Sequence, residues 1–166
     1  MSEQAGSSDR NERVILIPID GSPHCDRAFV WYLEHMKRAN DCVRFVNVIE
    51  PVYASPAFGV AVDSPPLPDF SRLMMDSIDS GKNLCRQYVQ RAKDSGLTAQ
   101  AFIHVDSRPG SAIVKAIKSH APDIVVMGNR GLGAIRRTFL GSVSDYVLHH
   151  AAAPVVIVPP GRSDSK

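Results

Sequence analysis

The amino-acid sequence predicts a three-layer α/β domain in which five parallel strands form a doubly wound sheet. Two observations predict this class. Short apolar runs alternate along the chain with longer stretches of helical periodicity, which is typical of a parallel sheet with helices on both faces. The first run, residues 14–19, is also almost continuous, as expected for a strand that is covered on both sides. Right-handed crossovers between such strands favour double winding.

The first strand is predicted over residues 14–19, and a helix is predicted from Pro23 to about Arg38. The turn between them contains Ser22, which suits the N-cap position, and Pro23 suits the first helical position. Four apolar residues of this helix fall at helical spacing and are expected to form its buried face: Phe29, Tyr32, Leu33 and Met36.

The remaining elements continue the alternation. Further strands are predicted over residues 43–49, 98–105, 124–127 and 155–158, and further helices over 69–95, from 109 onward and over 142–150. Residues 50–68 interrupt this pattern with five prolines. A loop of that length inside a compact domain is typical of a lid, a contact surface or a disordered segment.

Composition limits the classes of function. The domain is expected to span residues 13–160, between polar tails at 1–12 and 161–166 that we expect to be disordered. A net charge of +2 does not favour a nucleic-acid surface or a polybasic membrane contact. The sequence has no apolar run of membrane-spanning length and no secretory signal, so we expect a cytoplasmic protein. Three widely spaced cysteines do not suggest a metal site.

A glycine-containing segment follows the fourth strand. It reads Gly-x-x-Gly, nine residues, then Gly-Ser, from Gly128 to Ser142. Glycines allow a backbone to approach a phosphate closely, and the helix that starts at Ser142 presents unpaired N–H groups and a positive dipole end. In a doubly wound sheet, ligands bind at the carboxyl ends of the strands, where Gly128 is placed. The segment therefore predicts a phosphate-binding loop.

The same segment has three alternative interpretations. Three glycines in six residues can also form a turn that only joins a strand to a helix. A P-loop requires a lysine after its last glycine, but Gly141 is followed by Ser142 and Val143. A dinucleotide-binding fingerprint requires the order GxGxxG after the first strand, whereas this segment reads GxxGxG late in the chain.

The chain resembles the universal stress protein family, specifically its ATP-binding, UspA-like branch, over residues 13–159. The third of three motifs has the glycine spacing of that branch. The motifs are Pro18-x-Asp20-Gly21-Ser22, Asn47-Val48-Ile49-Glu50 and Gly128-x2-Gly131-x9-Gly141-Ser142. The resemblance implies an adenine nucleotide alpha hydrolase-like sheet with strand order 3-2-1-4-5. It also implies a homodimer formed through the last strand, residues 155–158.

The resemblance further implies an ATP or AMP site between the first and fourth strands. Asp20 would bind the adenine or ribose, although it could instead help to cap the first helix. Pro18 and Met127 would cover the base or sugar, and Val48 would bring backbone groups to the adenine edge. The ribose and phosphates would be held by the remaining matching residues: Gly128, Gly131, Gly141, Ser142 and Val143. A Mg²⁺ ion bound with a triphosphate would be held mainly by phosphate oxygens and water.

Three functions remain open from the sequence. The first is a nucleotide-responsive protein of stress response or signalling. The second is a slow ATPase that uses the same site, although Asp20 is the one acid placed clearly at this edge and no catalytic residue is assigned. The third is an interaction module with an empty site. No nucleic-acid or membrane partner is expected.

Overall fold

The computed structural model describes residues 12–51, 70–129 and 140–160. Strands and helices alternate throughout these ranges, as the sequence predicts. The elements are β1 (Arg13–Ile19), α1 (Pro23–His35), β2 (Asp41–Ile49), α2 (Phe70–Asp94), β3 (Thr98–Val105), α3 (Pro109–His120), β4 (Ile124–Gly128), α4 (Ser142–His150) and β5 (Val155–Val158). None of the helices in the described ranges is long and apolar enough to cross a membrane.

The five strands form one parallel sheet in the order β3-β2-β1-β4-β5, which confirms the predicted fold class and strand order. β1 lies at its centre, with Ile19 opposite Asn47 of β2 and Leu16 opposite Val125 of β4. The chain winds in one direction through β2 and β3, and then returns across β1 to β4 and β5. The point of reversal therefore lies between β1 and β4.

A hydrophobic core lies on each face of the sheet. Ile15 and Ile17 of β1 face the core that α1 and α2 cover, whereas Leu16 faces the core covered by α3 and α4. Phe29 of α1 packs edge-on against Phe45 of β2, with ring centroids 5.2 Å apart. Because both faces of β1 are buried, its sequence is continuously apolar rather than alternating.

α1 ends at His35, three residues before the predicted end near Arg38. The N–H groups of Met36 and Lys37 both donate to the carbonyl of Tyr32, so the last turn closes on one acceptor. The backbone N–H of Arg38 donates instead to the carboxylate of Asp41, at 2.8 Å. Because the Arg38 N–H bonds to this side chain, it does not continue the helix, and the chain turns toward β2.

Asp41 is the centre of a charged network at the amino-terminal edge of the sheet. Its two oxygens accept hydrogen bonds from the guanidinium of Arg13 at 2.7 and 2.8 Å, and the hydroxyl of Tyr32 donates to it at 2.6 Å. The Asp41 side chain is fully buried and that of Arg13 is 14% exposed. Burial alone would raise the pKa of Asp41, but the hydrogen bonds from Arg13, Tyr32 and the Arg38 backbone outweigh it and hold the pKa below its usual value.

Candidate functional site

An open cavity of about 380 Å³ lies at the carboxyl edge of the sheet, at the point of reversal between β1 and β4. The ends of β1, β2 and β4 form its floor, and the first turns of α1, α3 and α4 form its rim. Parallel strands and their following helices point opposite ways, so strand ends and helix N-termini meet at this edge. The volume is within the range of small-molecule sites.

Eight of the nine residues that the sequence assigns to the site line this one cavity. They are Pro18, Asp20, Val48, Met127, Gly128, Gly141, Ser142 and Val143. The ninth, Gly131, lies in residues 130–139, outside the described part of the chain, as does most of the proline-rich loop.

The cavity also contains residues that the sequence did not assign to it. The first turn of α1 contributes Ser22, His24 and Cys25, and Glu50 contributes a second carboxylate. The expectation that Asp20 is the one acid at this edge is therefore wrong. Glu50 follows β2 as Asp20 follows β1, so the parallel strand ends were a signal that could have placed it. Further walls are formed by Ile19, Val46, Pro109, Ile113 and Ser144.

The turn before α1 is held by its own side chains. A carboxylate oxygen of Asp20 accepts from the backbone N–H of Ser22 at 3.0 Å, and the Ser22 hydroxyl accepts from the N–H of Cys25 at 3.4 Å. Gly21 between them has a φ of +75°, a conformation that favours glycine. Asp20 thus holds the turn before α1, whereas the helix cap itself is supplied by Ser22. Its exposed carboxylate also lines the cavity.

Gly128 is required by the packing of α1 against β4. A Cβ atom at this position would collide with the carbonyl oxygen of His24 and lie 2.6 Å from the carbonyl carbon. Both are backbone atoms of a helix, so a side chain could be accommodated only by moving the first turn of α1. The absence of a side chain at Gly128 therefore has a packing cause, in addition to the close ligand approach that the sequence predicts.

The N-terminus of α4 differs from that of α1. Its N-cap is Gly141, which supplies no side-chain cap, and no side chain of the described residues caps this helix. The hydroxyl of Ser144 is turned back onto the Gly141 carbonyl, to which it donates at 2.9 Å. Gly141, Ser142 and Val143 all line the cavity. The first N–H groups of α4 and its positive dipole end thus border the cavity, an arrangement suited to an anion.

Residues 12–159 match the sequence model of the universal stress protein family, and this match covers almost the whole chain. This chain belongs to the universal stress protein family. It is 29% identical over 147 residues to a universal stress protein A-like protein of Arabidopsis thaliana, an alignment that covers 81% of this chain and 77% of the relative.

Two solved structures share the fold of this universal stress protein. One is a universal stress protein family protein from Arabidopsis thaliana with AMP bound, which is 23% identical with a TM-score of 0.66, covering 93% of this chain and 95% of the other. Another is a universal stress protein in complex with cAMP, which is 21% identical with a TM-score of 0.60, covering 89% and 97%.

In this universal stress protein the cavity combines apolar walls with one end that the start of α4 borders. Val46, Val48, Ile113 and Met127 provide surfaces against which a flat ring could pack, and the α4 N-terminus faces the same space. Among the described residues, no three His, Cys, Asp or Glu side chains are grouped so that they could hold a metal ion.

Proposed function

We propose that this universal stress protein binds an adenine nucleotide, ATP or AMP, in the cavity between β1 and β4. We further propose that it acts in stress response or signalling as a cytoplasmic, nucleotide-responsive homodimer. The observation that carries the proposal is the α4 N-terminus, which no side chain of the described residues caps and which opens onto an apolar-walled cavity of nucleotide size. The AMP and cAMP found in structures of the same fold support an adenine ligand.

Within this proposal the nucleotide binds in one orientation. The base packs among Pro18, Val48 and Met127, and Asp20 accepts a hydrogen bond from the ribose or the adenine amine. The phosphates lie at the start of α4 and near the end of β4, where their oxygens accept hydrogen bonds from backbone N–H groups. The residues assigned to that end are Gly128, Gly141, Ser142 and Val143, together with Gly131 by the family resemblance. Mg²⁺ would reach the site with a triphosphate, held by phosphate oxygens and water.

The homodimer proposal concerns β5, which lies at the edge of the sheet next to β4. Val155, Val156 and Ile157 are half-buried, and an apolar edge strand favours pairing with a second chain. Light scattering is expected to give the mass of a dimer at micromolar concentration, and a Val156→Lys variant is expected to shift it toward the monomer. A wild-type monomer at that concentration would contradict this part of the proposal.

The nucleotide proposal is tested by calorimetric titration with ATP, AMP and GTP, and by the mass of any nucleotide released when the purified protein is denatured. We expect the adenine nucleotides to bind with dissociation constants below about 1 mM and GTP to bind more weakly. Failure of both ATP and AMP to bind at that concentration would overturn the proposal.

The position of Glu50 in the cavity favours a slow ATPase as the second candidate function. Asp20 and Glu50 both line the cavity, and hydrolysis requires a carboxylate or similar base to orient water. Phosphate release that is lost in Glu50→Gln or Asp20→Asn while ATP binding is retained would favour this candidate. Retention of release in both variants would count against it.

A further inference from the structure

Arg27 of α1 makes a long-range contact with the chain that leaves β4. Its Nη2 atom donates to the carbonyl of Asn129 at 2.8 Å, a contact between residues 102 positions apart in the sequence. Asn129 is the residue directly after β4 and is 8% exposed. A guanidinium that donates to a buried carbonyl forms a charge-assisted hydrogen bond, which is stronger than a neutral one.

Asn129 is held from its other side as well. Its backbone N–H donates to the carbonyl of Val158, the last residue of β5, at 3.0 Å. The peptide groups on both sides of Asn129 are thus fixed by different elements, the amide by β5 and the carbonyl by α1. The chain therefore leaves β4 from a fixed position.

The same part of α1 also fixes Gly128, the neighbouring residue. The carbonyl of His24 lies so close to Gly128 that a Cβ atom could not be placed there. The Nδ1 atom of His24 is 3.3 Å from the Nη2 atom of Arg27, so the two side chains meet beside this contact. His24 and Gly128 line the cavity, whereas Arg27 does not.

We propose that Arg27 is a positioning residue for the phosphate end of the nucleotide site, an inference that rests on the proposed function. By holding Asn129, it fixes the backbone of Gly128 and the start of the glycine-containing segment before the ligand arrives. Donors that are already in place bind a phosphate without the cost of ordering them. Adenosine has the base, which packs against other walls, but no phosphate, so its binding depends much less on Arg27 than that of AMP.

The experiment compares AMP with adenosine in calorimetric titrations of the full chain. Arg27→Met is expected to raise the dissociation constant for AMP about tenfold, because the free energy of a hydrogen bond from a charged donor corresponds to about that factor. The dissociation constant for adenosine is expected to rise less than twofold. Arg27→Lys, which keeps a charged donor, is expected to recover part of the AMP affinity. Arg27→Gln serves as a milder replacement if the methionine variant does not fold, and is expected to lower AMP affinity selectively.

Arg44→Met is the matched control. Arg44 is also half-buried and also donates to a backbone carbonyl, that of His120 at 3.0 Å. Unlike Asn129, which follows Gly128, His120 is not next to a residue that lines the cavity. This variant is expected to leave both dissociation constants within twofold of the wild type. In the ligand-free protein, amide hydrogen exchange of Asn129 is expected to accelerate in Arg27→Met and not in Arg44→Met.

The outcomes separate the two proposals. If wild-type protein binds neither ATP nor AMP, the proposed function is overturned and the role of Arg27 with it. If wild-type protein binds AMP but Arg27→Met weakens AMP and adenosine equally, or weakens neither, the nucleotide site stands and the positioning role is overturned.

Discussion

At the amino-terminal edge of the sheet the charged side chains pair with one another, whereas at the carboxyl edge helix N-termini border an open cavity. Asp41 accepts from Arg13, Tyr32 and the backbone of Arg38, so its carboxylate is satisfied within the chain. Asp123 likewise accepts from the N–H of Val14 at 2.7 Å. At the opposite edge, no side chain of the described residues caps α4.

The difference indicates which polar groups serve folding and which remain for a ligand. A buried carboxylate is tolerated only if its hydrogen bonds are made within the protein, so the Asp41 network stabilises the fold. A helix start that borders a cavity can leave its N–H groups to water or to an anion. The contrast recurs within the cavity, where α1 is capped by its own Ser22 and α4 starts from Gly141.

The largest effect is expected from Asp41→Asn, which leaves the charge of Arg13 without its partner. Loss of one member of a buried ion pair is expected to lower the free energy of unfolding by about 3 kcal/mol, as measured by urea denaturation. AMP affinity is expected to stay within twofold because the network lies at the opposite edge. Asp79→Asn, which breaks the exposed pair with Lys82, is the control and is expected to cost less than about 0.5 kcal/mol. Equal costs for the two variants would contradict this assignment.

Gly128→Ala is expected to be the next most damaging change, because the new Cβ displaces the first turn of α1. Such overpacking is expected to cost about 2–3 kcal/mol and to abolish measurable AMP binding. Gly96→Ala is the matched control, since a Cβ there has nothing within 4 Å and its cost comes from a φ of +77°. That cost is expected to be about 1 kcal/mol, with AMP binding retained. A Gly128→Ala protein as stable as the wild type would exclude the close packing of His24.

The stability advantage of wild type over Asp41→Asn is expected to depend on pH. Because the pKa of Asp41 is lower in the folded protein than in the unfolded chain, its contribution is present above the unfolded value of about 4 and is lost as pH falls through the folded pKa. The difference in unfolding free energy between the two proteins should therefore be constant from pH 7 to 5 and shrink below about pH 4. Denaturation curves that give the same difference at pH 3 and pH 7 would refute this prediction.

The smallest effects are expected from substitutions of the two serines at the helix N-termini. Substitution of Ser22 should lower stability, whereas substitution of Ser142 should lower AMP affinity. Ser22→Ala removes a cap and is expected to cost about 1 kcal/mol of stability, with AMP affinity within twofold of wild type. Ser142→Ala removes no cap and is expected to leave stability within about 0.5 kcal/mol, while AMP affinity falls about fivefold. If both serines affected only stability, the two helix N-termini would have the same role.

Local patterns predict much of the fold. The almost continuous apolar run of β1 places that strand correctly, because burial on both faces leaves a direct mark on sequence. The more polar sequence of β3 is placed by its position between two helices. The end of α1 is different, since it depends on Asp41, whose partner Arg13 lies 28 residues earlier. The rule that ligands bind at the carboxyl ends of parallel strands and the family motifs bring eight assigned residues to one cavity, and the same rule could have placed Glu50. The position of His24 depends on packing between elements. Glycine is needed at position 128 because the His24 carbonyl of α1 packs against it. No local sequence pattern predicts this contact.

The most direct test of the contrast between the edges is an amide chemical-shift titration of the isotope-labelled protein with AMP. We expect saturable shifts that are largest for the amides of Gly128, Gly141, Ser142 and Val143, with the amides of Asp41 and Arg13 unchanged. An absence of shifts at millimolar AMP, or shifts centred on the amino-terminal edge, would contradict this expectation.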